Sequence, residues 1–283
     1  VIRFESGDLR ITILSAGTLW LDGGAMFGVV PKVLWAKLRP PDDRNRIQLG
    51  MNVLLVEDGD KRTLIDNGAG TKWDAKQRDI YGFTVKSAAE ILEPAGLAPS
   101  DIDVVLDSHL HFDHAGGNTE LDDDAGLIPA FPNARYVVQQ GELEFARSDN
   151  ERIRASYLSD NFEPVVAAGM FDYVTGDARV DDRIEVRLAP GHTPFLHVPV
   201  IRTGEHTIAF LSDLVPTASH VPFPYIMGYD LEPLRTLESK KRILGEAARG
   251  GWRLVFEHDH DLPLGILIED RGKLRAVPCA VEA

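Results

Sequence analysis

At 283 residues the chain is long enough for one large domain or two small ones, with a sizeable core. Its 30 basic against 44 acidic residues leave a formal charge of −14, which argues against a nucleic-acid or anionic-membrane surface, since both need clustered Lys and Arg. The single cysteine, Cys279, excludes an intramolecular disulfide and fits a reducing, cytoplasmic setting, and no apolar run approaches the length of a membrane span.

The N-terminal residues Val1-Ile2-Arg3-Phe4-Glu5 carry no signal-peptide pattern, although a trimmed leader stays open. Arg10 to Leu14, Met51 to Glu57 and Arg62 to Ile65 read as strands, the last two joined by a turn at Asp58-Gly59-Asp60. Between the first two, residues 20–49 form an apolar, irregular segment punctuated by Gly23, Gly24, Gly28 and Pro31. Such a segment must cover a substrate pocket, a partner subunit or the neighbouring core. Val85 to Leu92 is helix-like, and Ile102 to Leu106 reads as a buried strand. Arg135 to Gln139 is strand-like, and Glu142 begins a helical stretch running to about Leu158. Strands follow at Arg183 to Leu188, Val198 to Arg202 and His206 to Leu211. Leu231 to Ala248 is the clearest amphipathic helix, with Leu234, Leu237, Lys241 and Leu244 as its stripe. Within it, Lys240-Lys241-Arg242 reads as a solvated face. Trp252 to Phe256 and Ile266 to Glu269 close the pattern. Without linker or repeat, a single domain spanning 1–283 is the simplest organisation.

The chemistry concentrates in His109-Leu110-His111-Phe112-Asp113-His114, which follows a strand and leads into Gly116-Gly117. Imidazole and carboxylate are the ligands that zinc-like ions prefer. In an extended segment His109 and His111 share a side and can grip one ion, while Asp113 and His114 lie one turn further on, placed for a second. Further candidates end other strands: His192 in the turn Pro190-Gly191-His192-Thr193, Asp213 after Leu211-Ser212, and His258 in Glu257-His258-Asp259. The acidic run Asp122-Asp123-Asp124 lacks the spacing of a calcium loop and reads as a solvated turn.

Taken together these runs resemble the H-x-H-x-D-H signature, third-histidine turn, bridging aspartate and last histidine of the metallo-β-lactamase-fold hydrolases. Leu64-Ile65-Asp66-Asn67-Gly68 is similar to the strand-turn that precedes the signature there. The resemblance spans about Asn52 to Asp259 and implies a four-layer αββα sandwich of two mixed sheets flanked by helices. It implies two divalent ions, one held by His109, His111 and His192, the other by Asp113, His114 and His258. Asp213 would bridge them and Asp66 would orient a ligand histidine through its second ring nitrogen. Zinc is the default, and iron, manganese, cobalt or nickel fit the same donors. His197 is displaced by one position from the family's extra histidine and reads as structural. His206, His220 and His260 fall outside the set.

The reaction so implied is hydrolysis by a metal-bridging hydroxide, with Asp113 shuttling the proton. No G-x-S-x-G nucleophile elbow is present. Leu211 to Pro216, His220 and Met227-Gly228-Tyr229-Asp230 look most like the quorum-quenching lactonase and organophosphate-hydrolase group. The expected substrate is therefore a small molecule with an apolar portion, a lactone or small carboxylic ester, with Met26, Phe27 and Trp35 suited to an acyl or aryl group. Phosphotriesterase or phosphodiesterase and glyoxalase II-like thioesterase activities are the alternatives, and a metal-binding sensor or scaffold is the non-enzyme one. Tyr225 or Tyr229 is a candidate donor to the substrate carbonyl. A homodimer through the apolar N-terminal loop is the assembly this reading suggests.

Overall fold

The computed structural model describes residues 1–280. Alternation along the strands builds the layers, because successive side chains of a strand point to opposite faces. In the strand Arg46–Asp58, Leu54 and Val56 face one apolar cluster while Val53 and Leu55 face another. In Thr207–Phe210, Ile208 and Phe210 join the cluster of Leu54 and Val56, whereas Ala209 packs with Ile243, Leu244 and Ala247 of a helix. Three apolar layers result: one between two sheets and one outside each sheet under helices. This is a four-layer αββα sandwich.

The first sheet has eight strands. Its path runs Ile2–Ser6, Leu9–Asp22, Arg46–Asp58, Lys61–Ile65, Val104–Leu106, Arg135–Gln139 and Phe171–Val174, with Thr84–Val85 beside the second of these. The early neighbours are antiparallel and the last three pairings parallel. The second sheet has seven strands, Ala178–Arg179, Ile184–Leu188, His197–Arg202, Thr207–Phe210, Arg253–Val255, Leu264–Asp270 and Lys273–Pro278. Among the described residues of this sheet, only Thr207–Phe210 with Arg253–Val255 pair in parallel. That crossover is made by the helix Pro233–Gly250.

Several elements differ from the sequence expectation. The strand expected over Arg10 to Leu14 runs Leu9–Asp22 and pairs with Arg46–Asp58 out to Asp22 opposite Arg46, with a one-residue register shift between Ser15 and Gly17. Between them stand two short helices, Gly23–Phe27, capped by Asp22, and Lys32–Trp35. The helix expected to start at Glu142 covers Gln140–Ala146 and gives way to turns. The stripe of Pro233–Gly250 is also not the expected one. Leu234 is exposed, and Thr236, Ser239, Lys240, Ile243, Leu244 and Ala247 are buried. Lys240 is not on a solvated face, since its Nζ donates to the carbonyls of His220, Pro222 and Tyr225. Those acceptors satisfy all three ammonium protons, which permits a burial that pattern reading does not foresee. Lys241 and Arg242 are exposed, as is Asp122-Asp123-Asp124. Among the described residues no helix is long and apolar enough to cross a membrane.

Candidate metal centre

Five strands deliver their C-terminal ends to one edge of the sandwich. Lys61–Ile65 ends at Asp66, and Val104–Leu106 leads to His109 and the short helix Phe112–Ala115. From the other sheet, Ile184–Leu188, Thr207–Phe210 and Arg253–Val255 lead to His192, Asp213 and His258. The seven candidate ligands thereby meet, and all are buried.

They fall into two groups. His109, His111, His192 and Asp213 bring one donor atom each within 4.8 Å of one another, and Asp113, His114 and His258 do likewise. Asp213 stands between the groups. Its Oδ2 is 3.0 Å from His192 Nε2 and 3.4 Å from His114 Nε2, and its Oδ1 is 3.2 Å from His258 Nε2. His192 Nε2 lies 3.0 Å from His111 Nδ1, and Asp113 Oδ2 lies 3.7 Å from His258 Nε2. Donors around a tetrahedral zinc are about 3.4 Å apart, so these spacings suit such an ion. The bonding deficit points the same way. Among the described residues, His109 Nε2 is buried without a hydrogen-bond partner, which is costly unless a cation engages it.

The far sides of the rings are tied down. His192 Nδ1 is 2.9 Å from Asp230 Oδ1, His258 Nδ1 is 2.8 Å from the Gly50 carbonyl, and His114 Nδ1 is 3.0 Å from Asp66 Oδ2. Glu257 Oε2 also approaches His114 Nδ1 at 2.7 Å. Such partners fix the ring orientation and raise ligand basicity. Ser108 knits the two sheets together here. Its N–H and hydroxyl donate to the two Asp66 carboxylate oxygens, both at 2.7 Å, and its Oγ is 2.7 Å from Ser212 Oγ. Asp66 and Ser212 adopt φ of 53° and 46°, left-handed conformations that cost about 1–3 kcal/mol each and cluster at functional sites.

Charge is divided unevenly among the imidazoles. Burial and the neighbouring histidines push His109 and His111 well down. Burial also opposes charge on His192 and His258, but Asp213, together with Asp230 for His192 and Glu257 for His258, holds them up at about 10 and about 9. Burial likewise opposes charge on His114, yet Glu257, Asp213 and Asp113 raise it well above its usual value. Asp213 is pulled well down by the same histidines against its own burial.

A cavity of about 210 Å³ opens onto this cluster. Asp113, His111, His192, Asp213 and His258 line its polar end. Leu21, Met26, Phe112, Ile153, Met227 and Leu231 supply apolar walls, with Tyr81, Tyr229, Arg152 and Ser156 among the remaining lining residues. Tyr229 therefore reaches the cavity. Tyr225 does not line it, and its ring packs edge-on against Phe27 with centroids 6.1 Å apart. Phe27 and Trp35 are fully buried and stacked on each other, so of the three apolar loop residues only Met26 borders the cavity. His220 stacks on Phe27 and contacts the Met26 carbonyl through Nε2 at 2.8 Å, and so supports that wall from behind. His197 is buried in its strand outside the cluster, while His206 is exposed and His260 faces Asp261. Tyr81 and Arg152 were not singled out from sequence, and Asp230 entered only as part of the Met227-Gly228-Tyr229-Asp230 stretch, with no role of its own. Their roles arise from long-range contacts, and the only local signal is that Asp230 adjoins Tyr229.

Residues 47–258 match the Metallo-beta-lactamase superfamily. The chain belongs to that superfamily. Within it, the chain is 28% identical over 174 residues to the N-acyl homoserine lactonase AttM of Azorhizobium caulinodans, a match covering 59% of this chain and 61% of that protein. The chain thus spans about six tenths of the length of that relative. To the N-acyl homoserine lactonase AttM of Rhizobium johnstonii it is 25% identical over 270 residues, covering 89% of this chain and 94% of the other. Among solved structures, a probable metal-dependent hydrolase from Staphylococcus aureus superposes with a TM-score of 0.89 at 28% identity, covering 99% of this chain and 100% of that one. AidC, a dizinc quorum-quenching lactonase crystallised with an N-acyl homoserine product, gives 0.81 at 21% identity, with 100% and 98% covered, and shares the superfamily fold.

Proposed function

We propose that the chain works as a single catalytic domain, a dinuclear metal-dependent hydrolase that opens a lactone bearing an apolar acyl portion. The observation that carries this reading is the convergence of seven buried imidazole and carboxylate ligands beside a largely apolar cavity, five of them lining it. The lactonases among its relatives support the choice of bond. His109, His111 and His192 would hold one divalent ion, Asp113, His114 and His258 the other, and Asp213 would bridge. Zinc is the default ion, and iron, manganese, cobalt or nickel would fit the same N/O donors. Two ions there would supply the Lewis acidity that makes water nucleophilic near neutral pH and polarises an ester carbonyl.

The protein's own groups do the rest. The apolar walls at Met26, Phe112, Met227 and Leu231 bind the acyl portion and exclude bulk water from the reacting carbonyl. Tyr229 is held protonated: burial raises its pKa, and the Asp22, Asp113 and Asp213 carboxylates add to the effect. Its hydroxyl donates a hydrogen bond to the carbonyl oxygen as negative charge develops there. Asp113 takes the proton of the attacking water and returns it to the ring oxygen released when the acyl C–O bond breaks, leaving a hydroxy acid. Comparing turnover of N-acyl homoserine lactones, aryl esters, phosphotriesters, phosphodiesters and thioesters by the zinc-loaded protein tests the reading. Lactones should give the highest kcat/KM. A phosphotriester or thioester exceeding them would overturn the substrate class.

A further inference from the structure

We propose that Glu142 is a positioning residue that sets the geometry of the three-histidine half of the centre, an inference that rests on the two-ion reading above. Glu142 lies in the helix Gln140–Ala146 and is fully buried. Its carboxylate gathers three segments. Oε1 accepts hydrogen bonds from the Leu110 backbone N–H at 3.2 Å and from the Tyr157 hydroxyl at 2.6 Å, and Oε2 accepts one from Thr193 Oγ1 at 2.8 Å.

Each partner is attached to a candidate ligand of the same ion. Leu110 separates His109 from His111 in the chain, and Thr193 follows His192. The Tyr157 ring stands edge-on to the His111 imidazole with centroids 4.6 Å apart. No hydrogen bond from Glu142 reaches the Asp113, His114 and His258 half. That half is anchored separately, through Asp66 and the Gly50 carbonyl. One buried carboxylate therefore fixes the separation of the His109–His111 segment from the His192 turn, which come from different sheets. Side-chain freedom at these segments is removed before an ion arrives, which is how supporting groups strengthen a metal site.

The test separates positioning from mere structural support, because a plain structural strut would weaken both halves together. Zinc is titrated against a competing chelator into metal-free wild type, Glu142→Ala, Glu142→Gln and Thr193→Val, with thermal stability followed in parallel. Wild type should bind two equivalents. Glu142→Ala should keep one within about threefold of wild type and weaken the other at least tenfold. Glu142→Gln, which keeps an acceptor of the same shape, should restore both to within about threefold. In a His258→Ala background, where the three-histidine half is the tight site left, adding Glu142→Ala should weaken the remaining equivalent at least tenfold. Two unaltered affinities in Glu142→Ala, or equal weakening of both, would overturn the proposal. If that variant does not fold, Thr193→Val decides: weakening of one equivalent by about fivefold supports the role, and two unchanged sites refute it. A wild type that binds fewer than two equivalents would instead refute the two-ion reading beneath it.

Discussion

In the metal-free centre, Asp213 lies 3.0 Å from His192 and 3.2 Å from His258 and helps keep both charged. His192 is held at about 10 and His258 at about 9, against an unperturbed value of 6.5. At pH 7 both are therefore more than about 98% protonated, whereas a metal ion takes neutral imidazole. Loading the centre with zinc at pH 7 must expel about two protons, and more if His114 contributes its own. Two released protons make the overall apparent binding constant rise about 100-fold per pH unit, roughly 2.7 kcal/mol, between pH 6.5 and 8.5. His109 and His111 are pushed well below their usual range and have no proton to give. Titration calorimetry at pH 7 in two buffers of different ionisation enthalpy counts the protons, and chelator competition at pH 6.5, 7.5 and 8.5 gives the slope. Release of fewer than one proton, with a flat affinity, would refute the charge assignment. The same shifts fix a stability trend. A histidine raised in the fold stabilises the metal-free protein fully below about pH 6.5, and that contribution fades as pH rises through about 9 to 10. The melting temperature of the metal-free protein should fall across that window, and the zinc-loaded protein should not follow it.

Asp230→Ala removes the partner of His192 Nδ1 and should weaken one zinc about 10- to 100-fold by chelator competition; an unchanged affinity would deny Asp230 this role. Tyr229→Phe should lower kcat on a lactone about 100-fold with KM within about threefold, the pattern of a donor engaged in the transition state, and a loss below threefold would remove it from the mechanism. Phe210→Ala empties the layer between the sheets and should cost about 3–5 kcal/mol in urea unfolding. A cost below 1 kcal/mol would mean that the sheets do not rely on that packing.

The ligand set was legible because its members cluster in short runs that follow apolar strands. Leu106, Leu211 and Phe256 read as strand termini, and His109, Asp213 and His258 follow within three residues. The sandwich was legible only through the resemblance of the ligand runs to the metallo-β-lactamase-fold signature; in the continuous apolar run Val53 to Val56, which residues face which layer is decided by packing. What stayed hidden depends on contacts distant in sequence. Glu142 reads as an ordinary helix carboxylate until Leu110, Tyr157 and Thr193 are brought to it. Lys240 reads as solvated until the His220, Pro222 and Tyr225 carbonyls converge on its Nζ, and the apolar stripe of its helix was misplaced for the same reason. Tyr225 and Tyr229 are equally aromatic in sequence. Only the packing of Phe27 against Tyr225 separates the ring outside the cavity from the one within it.

The most direct test of the central claim follows zinc content and lactone hydrolysis together as metal is returned to the metal-free protein. The account predicts little turnover of an N-acyl homoserine lactone without metal and a plateau at two equivalents, both lost in Asp213→Ala. Full lactone hydrolysis by metal-free protein, or a plateau reached at one equivalent, would contradict it.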